Sequence, residues 1–318
     1  MLFALRALGL GDLLVAVPAL RALRAAFPDH RRLLATPPWL HPLCELVGGW
    51  EPVPMADLAS TPPVLPALDI AVNLHGNGPR SASLLDSMRP RHRIGHHRPG
   101  WPGPDWVEGL PERHRWCRLL IAHGITADEL DLRLHRPYRV AAPEGAVLVH
   151  PGAADVSKRW PLSRFAEVAA AYSAAGHHVV ITGSAAEREL AERLVELTGP
   201  GPEILAGRTR LPRLAALVGS ARLVVSGDTG IAHLAYAYGT PTVTLLSHAD
   251  LRRWMPPPGG PHRTLYGDGG QDESLVDGPK PALLDITAYD VLTAGAELGI
   301  PASGGAEATS ALLAPSWS

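Results

Sequence analysis

The residues best equipped for chemistry lie in Ser226-Gly227-Asp228-Thr229-Gly230-Ile231-Ala232-His233. An aliphatic run, Arg222-Leu223-Val224-Val225, precedes them, and Ile231, Leu234, Ala235 and Tyr238 follow at helical spacing. A strand that turns into a helix through glycines offers unpaired backbone N–H groups at the positive end of a helix dipole. That arrangement suits a diphosphate. Asp228 would repel a phosphate, which leaves it to accept hydrogen bonds from sugar hydroxyls or to cap the helix. His150-Pro151-Gly152-Ala153, then Lys158-Arg159-Trp160-Pro161, form a second junction of this kind. Lys158 is one of only two lysines in the chain, and a Lys spreads charge onto a phosphate without demanding a fork geometry. The plainer alternative is a surface Lys beside a packed Trp.

Two further junctions repeat the pattern. In Thr182-Gly183-Ser184-Ala185-Ala186-Glu187, the Glu187 carboxylate either accepts ribose hydroxyls or favours the first turn of a helix. In Gly9-Leu10-Gly11-Asp12, an apolar strand interrupted by Arg6 ends at a carboxylate. His75, Asn77 and Arg80 follow another strand end and are candidate contacts for an acceptor.

Several functions are disfavoured. A formal net charge of −2 makes no electrostatic case for nucleic acid. No apolar run approaches the length of a bilayer span, and the N-terminus lacks a basic region followed by a cleavage site. A cytoplasmic location, with at most peripheral membrane contact, is therefore expected. Cys44 and Cys117 are spaced like neither a metal site nor a redox pair and read as buried thiols. His92, His96 and His97 lie in a Gly/Pro-rich basic stretch, residues 89–106, with no carboxylate or thiol to join them. No metal and no cofactor are expected.

The elements that must position these residues alternate. Strands are expected at residues 2–8, 32–35, 69–74, 146–150, 178–182, 222–225 and 242–246. Helices are expected at 13–27, 39–47, 81–88, 112–123, 163–175, 187–197, 211–220, 231–238 and 286–298. Pro18 means that the first helix either bends there or begins its regular part there. Residues 89–106 read as an irregular loop and 247–281 as weakly structured. This rhythm predicts an α/β protein with parallel sheets covered on both faces. A composition shift over residues 124–145 divides it into two halves, residues 1–142 and 143–300, with a disordered tail over 301–318.

Taken in order, these motifs resemble glycosyltransferase family 9, the ADP-heptose heptosyltransferases and their relatives. The matching pieces are Gly11-Asp12 with Pro18-Ala19-Leu20, Pro151-Gly152-Ala153 with Lys158-Arg159-Trp160-Pro161, and Gly183-Ser184 with Glu187. Ala206-Gly207-Arg208-Thr209 with Leu211, and Asp228-Thr229-Gly230 with His233-Leu234-Ala235, complete the set. One subclass carries paired Thr ahead of the Lys, where this chain has Ala153-Ala154.

The resemblance implies a GT-B fold, two Rossmann-like doubly wound domains facing each other across a cleft, with acceptor on residues 1–142 and donor on 143–300. It implies inverting, metal-independent transfer of a sugar, heptose in the first instance, from an ADP-sugar to a hydroxyl of a glycan, glycolipid or natural product. Lipopolysaccharide core biosynthesis is the implied setting. Asp12 would be the general base, with Gly11 beside it on the acceptor side. Lys158, Thr229 and Gly230 would hold the departing diphosphate, with Gly152 and Ala153 in the same donor cradle. Glu187 would bind ribose, Thr209 would lie near the base, Asp228 would contact the donor sugar, and His233 would support the phosphate turn. The alternatives are a relative using another nucleotide sugar, an epimerase or hydrolase, or a nucleotide-sugar binding protein without catalysis.

Overall fold

Strands buried on both faces need no polar alternation, and the seven aliphatic runs behave accordingly. The computed structural model describes residues 1–267 and 279–302; the tail expected over 301–318 lies, from residue 303, outside the described residues. The described chain forms two units. The first is Met1–Val140 with Arg210–Ala216 and Arg252–Pro257; the second is Ala141–Thr209, Leu217–Leu251 and the described residues from Pro258 onward.

The first unit runs β1 (Leu2–Leu5), α1 (Leu10–Val15), α2 (Val17–Ala26), β2 (Arg32–Thr36), α3 (His41–Val47) and β3 (Glu51–Pro54). It continues through β4 (Ile70–Asn73), α4 (Pro79–Ser87), β5 (His92–Ile94) and α5 (Glu112–Ala122). Its sheet has the order β3-β2-β1-β4-β5, with every pairing parallel. Phe3, Leu5, Leu33, Ala35, Ala71, Leu85 and Trp101 meet in its core. The Pro18 ambiguity resolves in favour of a fresh start: α1 ends at Val15, Ala16 caps both helices, and Pro18 sits in the first turn of α2, where no N–H is needed.

In the second unit β6 (Val147–His150), α6 (Leu162–Ala174), β7 (Val179–Ile181), α7 (Arg188–Thr198) and β8 (Glu203–Ile204) come first. After α8 (Leu211–Ser220), whose first part falls in the first unit, follow β9 (Leu223–Gly227), α9 (Gly230–Tyr238), β10 (Thr242–Leu246), α10 (His248–Trp254), whose last part falls in the first unit, β11 (His262–Tyr266), α11 (Pro281–Leu284) and α12 (Ala288–Glu297). The sheet order is β11-β10-β9-β6-β7-β8, again parallel throughout. Val147, Val149, Phe165, Val168, Tyr172, Ile181, Val225, Val243 and Val291 share its core. Trp160 belongs there too. It is 2% exposed, meets Phe165 edge to face, and donates its indole N–H to the Ile286 carbonyl at 3.0 Å.

Two expectations are corrected. Residues 89–106 are not wholly irregular, since β5 lies within them, and residues 247–281 contain α10 and β11. Both added strands are sheet edges, half-exposed or polar, and so lack the aliphatic run that marks a central strand. Both units are Rossmann-like and doubly wound.

Candidate functional site

An open parallel sheet binds ligands beyond the carboxyl ends of its strands, where the strand order reverses. In the first unit that point lies between β1 and β4, and in the second between β6 and β9. The loops following these four strands carry Gly9 to Asp12, His75 to Arg80, Gly152 to Lys158, and Asp228 to Gly230. The topology thus brings Asp12, His75, Lys158 and Asp228 to the two places where such a fold opens, while Glu187 and Thr209 follow β7 and β8.

At the first switch point, Asp12 lies inside α1 and is not its N-cap. Its Oδ2 reaches back to accept from the Gly9 N–H at 3.3 Å, and its Oδ1 lies 3.5 Å from Arg6 Nη2. Arg6, at the end of β1, is 1% exposed. It donates from Nε to the Asp12 carbonyl at 2.9 Å and from Nη1 to the Leu74 carbonyl, and its guanidinium lies 4.7 Å from the Trp116 ring centre. In the sequence Arg6 is only an interruption of an apolar strand. The signal was there, because a charge inside a buried strand needs partners. Burial pulls the Arg6 guanidinium below its ordinary value, opposed by Asp12 and Glu112.

His75 is half-buried, its backbone N–H bonded to Asn73 Oδ1 at 3.1 Å, and its Nδ1 is buried without a hydrogen-bond partner. Burial, with help from the Arg6 charge and against Asp12, pushes its imidazole down to about 4. Gly11 is half-buried in α1, whereas Asn77 and Arg80 are exposed, so the structure brings His75, but not these two, into the Arg6–Asp12 environment.

At the second switch point Lys158 ends a short 3₁₀ turn, Val156–Lys158, capped by Asp155, whose Oδ1 accepts from the Ser157 N–H at 2.9 Å. Arg159 folds this loop back by donating to the Ala153 carbonyl from Nε at 3.1 Å and Nη2 at 3.0 Å. Lys158 Nζ then meets Asp228 Oδ2 at 2.8 Å, across from β6 to β9. His233 Nε2, one turn along α9, lies 3.7 Å from Asp228 Oδ1. Burial by itself would raise the Asp228 carboxyl, but the His233 and Lys158 contacts outweigh it and hold the group below its ordinary value. Thr229, not Asp228, is the N-cap of α9, with extended backbone and no side-chain capping bond; its Oγ1 is buried without a hydrogen-bond partner.

Glu187 adjoins this cradle. Its Oε2 accepts from the Ser184 N–H at 2.7 Å, and its own N–H donates to the Ser184 carbonyl at 3.1 Å. A Cβ on Gly152 would lie 2.1 Å from Glu187 Oε1, so glycine is required where the β6 loop passes this carboxylate. Burial works to raise Glu187, while the Ser184 N–H and the charges of His150 and Arg159 prevail and keep it low. His150, whose Nδ1 lies 3.0 Å from Thr182 Oγ1, is itself held below its ordinary value by burial against Glu187. Thr209 is half-buried after Gly207, whose N–H donates to the Gly183 carbonyl at 3.0 Å.

Among the described residues no group of three His, Cys, Asp or Glu side chains is arranged to hold a metal, and no helix is long and apolar enough to cross a membrane. Cys44 and Cys117 are buried free thiols, both pushed up to about 12 by burial.

Residues 109–265 match the family model for glycosyltransferase family 9 (heptosyltransferase). The match includes Lys158, Glu187, Thr209 and Asp228 to His233, and begins after Asp12. Lipopolysaccharide heptosyltransferase 2 of Escherichia coli K12 is 28% identical over 205 residues, 58% of this chain and 54% of that protein. Across the curated heptosyltransferases it matches, the chain spans between 32% and 54% of their length.

Among solved structures, a glycosyl transferase family 9 protein from Veillonella parvula superposes with a TM-score of 0.76 at 20% identity, covering 93% of this chain and 96% of that one. Escherichia coli heptosyltransferase WaaC with ADP gives 0.71 at 17% identity, over 93% and 99%. These likenesses establish a fold of the GT-B kind. Residues 109–265, just under half of the chain, form a glycosyltransferase family 9 (heptosyltransferase) domain.

Proposed function

We propose that this protein is an inverting glycosyltransferase that moves heptose from ADP-heptose to a hydroxyl of lipopolysaccharide core or a related glycan, glycolipid or natural-product acceptor, on the cytoplasmic side of the membrane. The family match, the lipopolysaccharide heptosyltransferases among its relatives and a neighbour solved with ADP support this reading. The observation that carries it is the cradle around Lys158: a cation at 2.8 Å from Asp228, the N-terminus of α9, and the unpartnered buried hydroxyl of Thr229.

In this reaction the acceptor oxygen attacks the anomeric carbon as Asp12 takes its proton, and the bond from that carbon to the diphosphate oxygen breaks with its electron pair. The charge growing on the leaving diphosphate meets Lys158, the Thr229 hydroxyl and the N–H groups of Gly230 and its neighbours. Lys158 therefore exchanges the Asp228 carboxylate for phosphate, which frees Asp228 to accept from the donor sugar. Glu187, beside Gly152 and Ala153, takes the ribose hydroxyls, with Thr209 nearer the base. His233 keeps Asp228 oriented. Residues 143–300 are the donor half and residues 1–142 the acceptor half, where His75, Asn77 and Arg80 are acceptor contacts beside Gly11. Because the positive charge comes from the chain itself, transfer proceeds without a metal.

A screen of ADP-, GDP- and UDP-sugars, read by mass spectrometry of the released nucleoside diphosphate with deacylated lipopolysaccharide core as acceptor, tests the assignment. ADP release dependent on both substrates is expected. Release from GDP- or UDP-sugars alone would overturn the donor, and binding of ADP-heptose without release under any acceptor would overturn the enzyme.

A further inference from the structure

The buried arginine at the first switch point has no part in the reaction described above, yet it touches every segment that meets there. Arg6 spends its Nε on the Asp12 carbonyl at 2.9 Å and its Nη1 on the Leu74 carbonyl, and its Nη2 lies 3.5 Å from Asp12 Oδ1. One rigid fork thus ties the loop after β1, the first turn of α1 and the loop after β4, with the Trp116 ring of α5 against its face at 4.7 Å. The other Asp12 oxygen is held only by the Gly9 N–H at 3.3 Å, so without Arg6 the carboxylate is free to rotate about its side-chain torsions.

We propose that Arg6 is a positioning residue: it holds the Asp12 carboxylate in the orientation from which it serves as general base. The proposal rests on the reading of Asp12 given above.

Three features favour positioning over plain core stability. A guanidinium that is 1% exposed and placed directly after a strand of Leu, Phe and Ala is a costly way to fill a core, where an aliphatic side chain would pack as well. Its bonds go to the Asp12 carbonyl in the first turn of α1 and to the Leu74 carbonyl just after β4, both beyond the strand ends where this fold binds ligands. Finally, the pairing is geometric. Arg offers a planar fork that can serve the carbonyl and the carboxylate of one residue together, which the single ammonium of Lys cannot.

The test combines Arg6→Lys, Arg6→Met and Asp12→Asn, singly and as the double variants with Asp12→Asn. Turnover is read as ADP release from ADP-heptose with deacylated lipopolysaccharide core. Arg6→Lys is expected to fold and to lower kcat by about ten- to a hundredfold, with donor KM within about twofold of the parent. Arg6→Met should lose more, and neither substitution should lower kcat further in the Asp12→Asn background, because the residue through which Arg6 acts is then already disabled.

A second readout needs no turnover. The Gly9 amide resonance, which reports its bond to Asp12, should move in Arg6→Lys toward its position in Asp12→Ala. Should Arg6→Met fail to fold, Arg6→Lys carries both readouts. An unchanged Gly9 amide together with unchanged kcat in Arg6→Lys overturns the proposal, as does an Arg6 effect of equal size with and without Asp12. Full turnover in Asp12→Asn would instead overturn the general-base reading, and the Gly9 signal would still decide whether Arg6 orients the carboxylate.

Discussion

Lys158 Nζ and Asp228 Oδ2 stand 2.8 Å apart, joining residues 70 positions apart in sequence across the point where the second sheet reverses its order. The pair is only partly shielded, with Lys158 26% and Asp228 10% exposed, so the ammonium remains within reach of an entering anion. Removing it should therefore damage the reaction more than the fold. Lys158→Ala is expected to lower kcat by about two to three orders of magnitude, and to shift the melting temperature by only a few degrees. Steady-state kinetics beside thermal melting checks this, and unchanged kcat would remove Lys158 from the leaving-group role.

Gly152→Ala tests the donor side without touching a charged group. The new methyl would sit 2.1 Å from Glu187 Oε1 and 2.3 Å from its Cδ, so the carboxylate must swing away. The tip of one side chain can move at modest cost to stability, but the proposed ribose contact moves with it. Calorimetric titration with ADP should show affinity weakened by about tenfold, the value of one good hydrogen bond to a charged group. Parental ADP affinity in this variant would take Glu187 out of the donor site.

His75 gives the first unit an acid-sensitive term. Its imidazole lies at about 4 in the folded chain against an ordinary 6.5, so the unfolded chain takes up this proton first. The stability due to the neutral ring is complete above about pH 6.5 and declines as pH falls from there toward 4. The depressed carboxylates Asp228 and Glu187 act in a lower window, below their ordinary values of 3.8 and 4.5. Denaturant unfolding at pH 7 and pH 4.5 should show the parent losing more stability than His75→Gln. Equal losses would mean that the ring is solvated in the folded protein.

The proposed metal-free transfer predicts full turnover in excess EDTA. A large loss that Mg²⁺ or Mn²⁺ restores would show that Lys158 and the α9 terminus do not suffice for the leaving group.

The central strands were legible in the sequence: β1, β2, β4, β6, β7, β9 and β10 all appear as aliphatic runs. Burial on both faces demands apolar residues at every position. The four strands that the runs did not reveal, β3, β5, β8 and β11, are the four sheet edges. β3 reads Glu51-Pro52-Val53-Pro54, and only an edge accepts two prolines, because an outward-pointing N–H has no partner to lose. The residue types at the candidate site were equally legible, since glycines, Thr229 and a rare Lys mark strand-to-helix turns.

What the tertiary structure alone decided is which of these residues meet. No periodicity relates Lys158 to Asp228, Gly152 to Glu187, or Arg6 to Asp12 and Leu74. Lys158 meets Asp228 because parallel pairing places β6 beside β9, and Arg6 meets Leu74 because β1 lies beside β4, although other strands intervene in the chain; Gly152 meets Glu187 because β7 pairs with β6. Local sequence determines where a strand ends and a helix begins, through burial and capping within a few residues. Which strand ends share a switch point is set by the winding of the whole sheet, and the proposed chemistry lies at that junction.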